Sequence, residues 1–142
     1  MKVLLVSPDP DSRELTWLAV RGIERRLGRQ VTFLEAEDGE RGLRVARAER
    51  PEVVLADEIA SRAGAFALAK ELRAEGYGGA IVILLERRQD VWLARWSGAD
   101  AWFVRPIDPF ELAERVLGLI GGPRAAAEAV GTTFVTAREE TG

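Results

Sequence analysis

Five short apolar runs, each followed by a segment with helical spacing, leave this chain few ways to fold. They are Lys2 to Val6, Val31 to Ala36, Val53 to Asp57, Ile81 to Leu85 and Ala101 to Val104. Val53-Val54-Leu55-Ala56 and Ile81-Val82-Ile83-Leu84-Leu85 are apolar without interruption, the pattern of strands buried on both faces, and the second predicts the centre of a sheet. Val31 to Ala36 sets Val31, Phe33 and Glu35 against Thr32, Leu34 and Ala36, which predicts a strand without saying which set faces the core.

The intervening segments carry helix signals. Asp11-Ser12-Arg13-Glu14 has the capping-box pattern and predicts the start of a first helix, which Leu15, Leu18, Gly22 and Leu27 continue and Gly28 ends. Asp38-Gly39 opens a second helix through Leu43, Val45 and Ala46 to Arg50, where Pro51 stops it. After a loop at 61–65, Phe66, Leu68, Ala69 and Leu72 mark a third helix, broken by Gly76 and Gly78-Gly79. A short fourth helix is expected from about Gln89 to Ser97. Asp108-Pro109-Phe110-Glu111 joins an N-cap, a proline at the first helical position and a capping-box Glu, so a fifth helix runs to Ile120. Strands alternating with helices in this way mean a parallel α/β sheet with right-handed crossovers.

Gly121-Gly122-Pro123 closes this domain, so residues 1–121 are read as one unit and 122–142 as a flexible or docking tail. Within the tail, Thr132 to Thr136 reads either as one edge strand or as part of a frayed terminus. The chain has no Cys and no His, which excludes disulfides, thiolate or imidazole metal sites and cysteine or Ser-His nucleophiles. A formal charge of −3 gives no nucleic-acid footprint, and no apolar stretch approaches the roughly 20 residues that span a bilayer. Met1-Lys2 leads straight into a strand rather than a signal peptide, so a cytoplasmic protein with no nucleic-acid or membrane partner is expected.

Asp57 closes the buried run Val53-Val54-Leu55-Ala56 and carries a carboxylate to the carboxyl end of its strand. That end is where ligands bind in doubly wound sheets. Divalent cations demand several oxygen ligands, so the neighbours of Asp57 decide its chemistry.

Several motifs in order resemble one family. Lys2-Val3-Leu4-Leu5-Val6 with Asp9-Pro10-Asp11, then Glu37-Asp38-Gly39-Glu40, Pro51-Glu52-Val53-Val54-Leu55-Ala56-Asp57, Gly98-Ala99-Asp100-Ala101-Trp102 and Val104-Arg105-Pro106 resemble the response-regulator receiver domain of two-component signalling. The resemblance implies a flavodoxin-like (CheY-like) three-layer fold, a five-stranded parallel sheet in order 2-1-3-4-5 with five helices. It also implies that a histidine kinase passes a phosphoryl group to the aspartate at the position of Asp57. The family does this with Mg²⁺ held by that aspartate and a pair of carboxylates just after the first strand.

Measured against that pattern, several positions of this chain differ. The acidic pair reads Ser7-Pro8, a weak neutral ligand followed by a residue with no side-chain ligand. Asp9 or Glu58 can substitute only if its loop bends inward, so no metal is expected, with Asp9 and Asp57 the residual candidates. The hydroxyl that ends the family's fourth strand falls on Leu85, which donates nothing, and the switching aromatic on Trp102. The family's lysine falls on Arg105, whose planar fork is expected to pair with Asp57 permanently. The resemblance implies a cis bond before Pro106, and the bulk of the Trp102 indole predicts one fixed rotamer.

Trp92 and Trp96 stand four residues apart and share a helix face, while Val91 and Ala94 suit the inward side. With Trp102 they mark the surface of helix four, strand five and helix five, where receivers dimerise or dock partners; the alternative is that one or two indoles fill a gap in a small core. Together these readings predict an atypical single-domain pseudo-receiver, not an enzyme and without a cofactor. It would act through another protein, a sensor kinase or downstream effector, or as a homodimer, independently of phosphorylation. The alternative is a working phospho-acceptor in a phosphorelay, taking the group on Asp57 with Mg²⁺. A flavin or nucleotide binder would need a phosphate cradle after the first strand. Ser7-Pro8-Asp9-Pro10-Asp11-Ser12, with two prolines and two acids, argues against that.

Overall fold

Five parallel strands form one sheet in the order β2-β1-β3-β4-β5. The structure is a computed structural model that describes residues 1–58 and 64–121. Along the chain it runs β1 (Lys2–Val6), α1 (Pro10–Leu27), β2 (Thr32–Ala36), α2 (Gly39–Glu49), β3 (Val53–Asp57), α3 (Ala65–Ala74), β4 (Ala80–Leu85), α4 (Val91–Trp96), β5 (Ala101–Val104) and α5 (Pro109–Ile120). This is the α/β CheY-like arrangement of five parallel strands and five helices that the resemblance implied. The tail 122–142, with Thr132 to Thr136, lies outside the described residues, as does most of the loop at 61–65.

Period-two alternation along the strands builds the three layers. Val3, Leu5, Val53, Leu55, Val82 and Leu84 pack on one face against Ala19 and Ile23 of α1 and Leu112 and Val116 of α5. Leu4, Val6, Val54, Ala56, Ile81, Ile83 and Leu85 fill the other face with Ala46 of α2, Leu68 and Leu72 of α3, and Ala94 of α4. The uninterrupted runs are therefore inside on both sides. In β2, Phe33 joins the first cluster and Leu34 and Ala36 the second, so both sets of that strand meet apolar neighbours.

Two helix starts differ from expectation by two residues. The first helix begins before the predicted capping box: Asp9 is the N-cap, its carboxylate accepts from the Asp11 N–H at 3.1 Å, and Pro10 takes the first helical position. Proline costs nothing there because that N–H has no partner within a helix. Ser12 consequently lies inside the first turn and turns towards the sheet, fully buried. The fourth helix is also shorter than expected, because Arg88–Asp90 forms a 3-10 turn before Val91. That tighter turn lets Arg87 reach forward to Asp90 at 3.2 Å.

Candidate functional site

The strand ends line up at the carboxyl edge of the sheet. Val6 pairs with Ala56, Asp57 with Leu84, and Leu85 with Val104. The ladder continues past the strands, since Glu58 N–H donates to Leu84 O at 2.8 Å and Arg105 N–H to Leu85 O at 3.0 Å. Ser7, Asp57, Glu86 and Arg105 thus follow or end four adjacent strands in one row.

Asp57 is fully buried, and its Oδ2 is surrounded by donors. Ser7 Oγ–H donates to it at 2.9 Å, Arg105 Nη2–H at 2.6 Å, and Ser12 Oγ–H makes a third, short hydrogen bond. Arg105 spans the site as a fork. Its Nη2 also donates to Ser12 Oγ at 2.5 Å, while its Nε donates to Glu86 Oε2 at 2.5 Å. Burial works against the charge on Arg105, but the hydrogen bonds and attraction of Asp57 and then Glu86 outweigh it and hold the guanidinium above its ordinary value.

The remaining residues singled out in the sequence are placed as follows. Pro8 is exposed and contributes no side-chain donor or acceptor. Asp9 N–H donates to Ser7 Oγ at 3.0 Å; Oδ1 of the Asp9 carboxylate caps α1, and its Oδ2 lies 3.5 Å from the Ser12 hydroxyl that bonds Asp57. Glu58 accepts from Glu86 N–H at 2.6 Å. Burial first, then a hydrogen bond shared with Asp90, raise the Glu58 carboxyl above its ordinary range. That same bond, with Arg87, lowers Asp90. Leu85 is fully buried beside Ala94, and half-buried Trp102 packs on the same cluster with the Arg95 guanidinium 5.4 Å over its ring. The Arg105–Pro106 peptide bond is cis. Trp92 and Trp96 are 63% and 56% exposed, and the Lys70 ammonium lies 4.3 Å from the Trp96 ring centroid.

Sequence reasoning missed Ser12 and Glu86. Glu86 was within reach, being the charged residue directly after the apolar run that ends in Leu85. Ser12 required the Asp9-Pro10 helix start to be recognised, because only that start puts its hydroxyl against the strand ends. A cavity of about 570 Å³ opens at the other, amino-terminal edge of the sheet among Pro51, Leu72, Tyr77 and Leu119, and touches none of these residues.

The donor set does not fit a Mg²⁺ ion. Such an ion needs several oxygen ligands, mostly anionic. Ser7 directs its hydroxyl hydrogen to Asp57, Pro8 offers nothing, Asp9 is engaged by the α1 cap and by Ser12, and Asp57 already faces a cation. Among the described residues no group of three acidic side chains is arranged to hold a metal. Nor, among them, is any helix long and apolar enough to cross a membrane.

No family model matches the chain. It is 29% identical over 127 residues to an uncharacterized response regulatory protein of Mycobacterium tuberculosis, covering 87% of this chain and 93% of that one. It is 30% identical over 100 residues to the protein PilH of Pseudomonas aeruginosa, covering 67% of this chain and 80% of that one. In fold it matches the receiver domain of a Francisella response regulator with a TM-score of 0.69 at 22% identity, over 84% of this chain and 96% of that one. An aspartate at the carboxyl end of β3 in this strand order, with relatives matched along most of their own length, has one explanation: the chain belongs to the response-regulator receiver domains of two-component signalling.

Proposed function

We propose that this chain is an atypical receiver that signals by binding another protein or a second copy of itself, without taking a phosphoryl group. One observation carries the reading. Asp57 stands at the family's phospho-acceptor position, and its Oδ2 is held by Ser7, Ser12 and Arg105. Phosphoryl transfer between two anionic groups needs the charge neutralisation that Mg²⁺ supplies, and the acids that would hold that ion are missing or engaged elsewhere. Leu85, in place of a hydroxyl, offers the phosphoryl group no donor. The exposed Trp92 and Trp96 of α4 supply large, rigid contact area of the kind that anchors interfaces.

Incubation with radiolabelled acetyl phosphate and Mg²⁺ tests the reading. No stable label is expected. Label that persists through gel filtration and disappears in Asp57→Asn would overturn it. Such label would establish the second reading, a working acceptor, which rests on the place of Asp57 at the carboxyl end of β3.

A further inference from the structure

We propose that Arg105 is a built-in substitute for the divalent cation, a tethered guanidinium that neutralises Asp57, with Ser12 and Glu86 as the residues that position it. This deepens the reading above and rests on it. The salt bridge joins a fully buried carboxylate to a side chain only 22% exposed, with Arg105 Nη2 and Asp57 Oδ2 2.6 Å apart.

Charge balance favours a monovalent cation here. The family's site sets a dication and a lysine against three carboxylates. With two of those replaced by Ser7-Pro8, Asp57 is the acid of that set that remains, and Arg105, at the lysine's position, carries the single positive charge it calls for without a dication.

The geometry of the fork supports the same assignment. An ammonium is a point charge, whereas the planar guanidinium directs its N–H groups in fixed directions. Arg105 uses this to span two anchors, with Nε on Glu86 and Nη2 on both Asp57 and Ser12. Ser12 has an unusual place, since its hydroxyl accepts from Arg105 and donates to Asp57, so it completes a closed ring of three groups. Glu86 pulls the other edge of the guanidinium outward and fixes its plane. A cation carried by the chain is present at a fixed effective concentration, so a metal ion in solution must displace it before binding.

Thermal melts of the full chain with and without MgCl₂ test the proposal, because a ligand that binds the folded state raises the midpoint. The wild-type midpoint should not respond to Mg²⁺. Arg105→Gln keeps a hydrogen-bonding side chain but removes the charge, and should show a Mg²⁺-dependent rise in midpoint that the wild type lacks. Ser12→Ala and Glu86→Gln leave the charge in place but free the guanidinium, and should show smaller rises than Arg105→Gln. A purely structural role would lower all midpoints without creating a Mg²⁺ response. If Arg105→Gln does not fold, Arg105→Met serves as the second variant, and folding on addition of Mg²⁺ counts as the response. An equal response in the wild type and Arg105→Gln, or none in Arg105→Gln and Arg105→Met, overturns the proposal. Label on wild-type Asp57 from acetyl phosphate would instead overturn the reading on which it rests, so the two failures are distinguishable.

Discussion

Asp57 and Arg105 each terminate an apolar strand, and their pairing sets the energetics of the site residue by residue. Removing one partner of a buried pair strands the other charge, so Arg105→Met should lower stability by about 3–5 kcal/mol in urea unfolding. The double variant Asp57→Leu with Arg105→Met should recover most of that loss. A purely additive cycle would show that the pair is not coupled. Thr16 lies one helical turn after Ser12, and its buried Oγ1 has no hydrogen-bond partner among the described residues. Thr16→Val removes the hydroxyl at constant shape and should stabilise by roughly 1–2 kcal/mol, read as a higher urea midpoint at unchanged slope. The sequence makes Asp57 and Arg105 legible because each is the polar residue that stops a buried run. Ser12 is not legible in the same way: it meets Asp57 across 45 residues, and its orientation depends on a helix start shifted by Asp9 and Pro10.

Among the elements, α2 approaches β1 closely at Gly42, against the side chain of Val6. A Cβ added to Gly42 would come 2.6 Å from Val6 Cγ2, and Val6 is fully buried in the strand. Gly42→Ala should therefore cost about 1–3 kcal/mol through overpacking, and Val6→Ala in the same chain should relieve part of it rather than add to it. The segment from the end of β3 to α4 responds instead to pH. Glu58 is raised by burial and by Asp90, so its contribution to stability is complete below the ordinary carboxylate value and is lost as pH rises through its folded value. Asp90 is lowered, so its contribution is present above the ordinary value and is lost as pH falls through its folded value. Glu58→Gln stays neutral and should flatten the fall in melting midpoint as pH rises above the ordinary carboxylate value; an unchanged slope would refute the raised Glu58 carboxyl. The strands were readable from unbroken apolar runs, and α5 from its Asp108-Pro109 start. The 3-10 turn before α4 was not, because a single turn of three residues leaves no periodicity in the sequence.

At the scale of the whole molecule, the order and register of the strands bring four separate stretches of sequence to one edge, while α4 leaves the indoles of Trp92 and Trp96 exposed, with Lys70 of α3 over the Trp96 ring. Trp92→Ser with Trp96→Ser should change stability by no more than about 1 kcal/mol, since both side chains are largely exposed, yet weaken self-association in sedimentation at rising concentration. Identical sedimentation of variant and wild type at every concentration would remove this face from a second-copy interface. The fold class was the most legible property, because runs alternating with helices mean a parallel α/β sheet, while the strand order came from the resemblance to receivers. The surface was the least, because exposure depends on which helix face the sheet leaves uncovered. The closed ring of Asp57, Ser12 and Arg105 has a last consequence, in time. A phosphoryl group on an aspartate hydrolyses, so a receiver that carries one keeps a clock and forgets its stimulus at a set rate. An anion answered by the chain's own guanidinium has no such half-life. On the reading proposed here, this receiver reports how much of it has been made, and the cell ends its message by dilution or degradation.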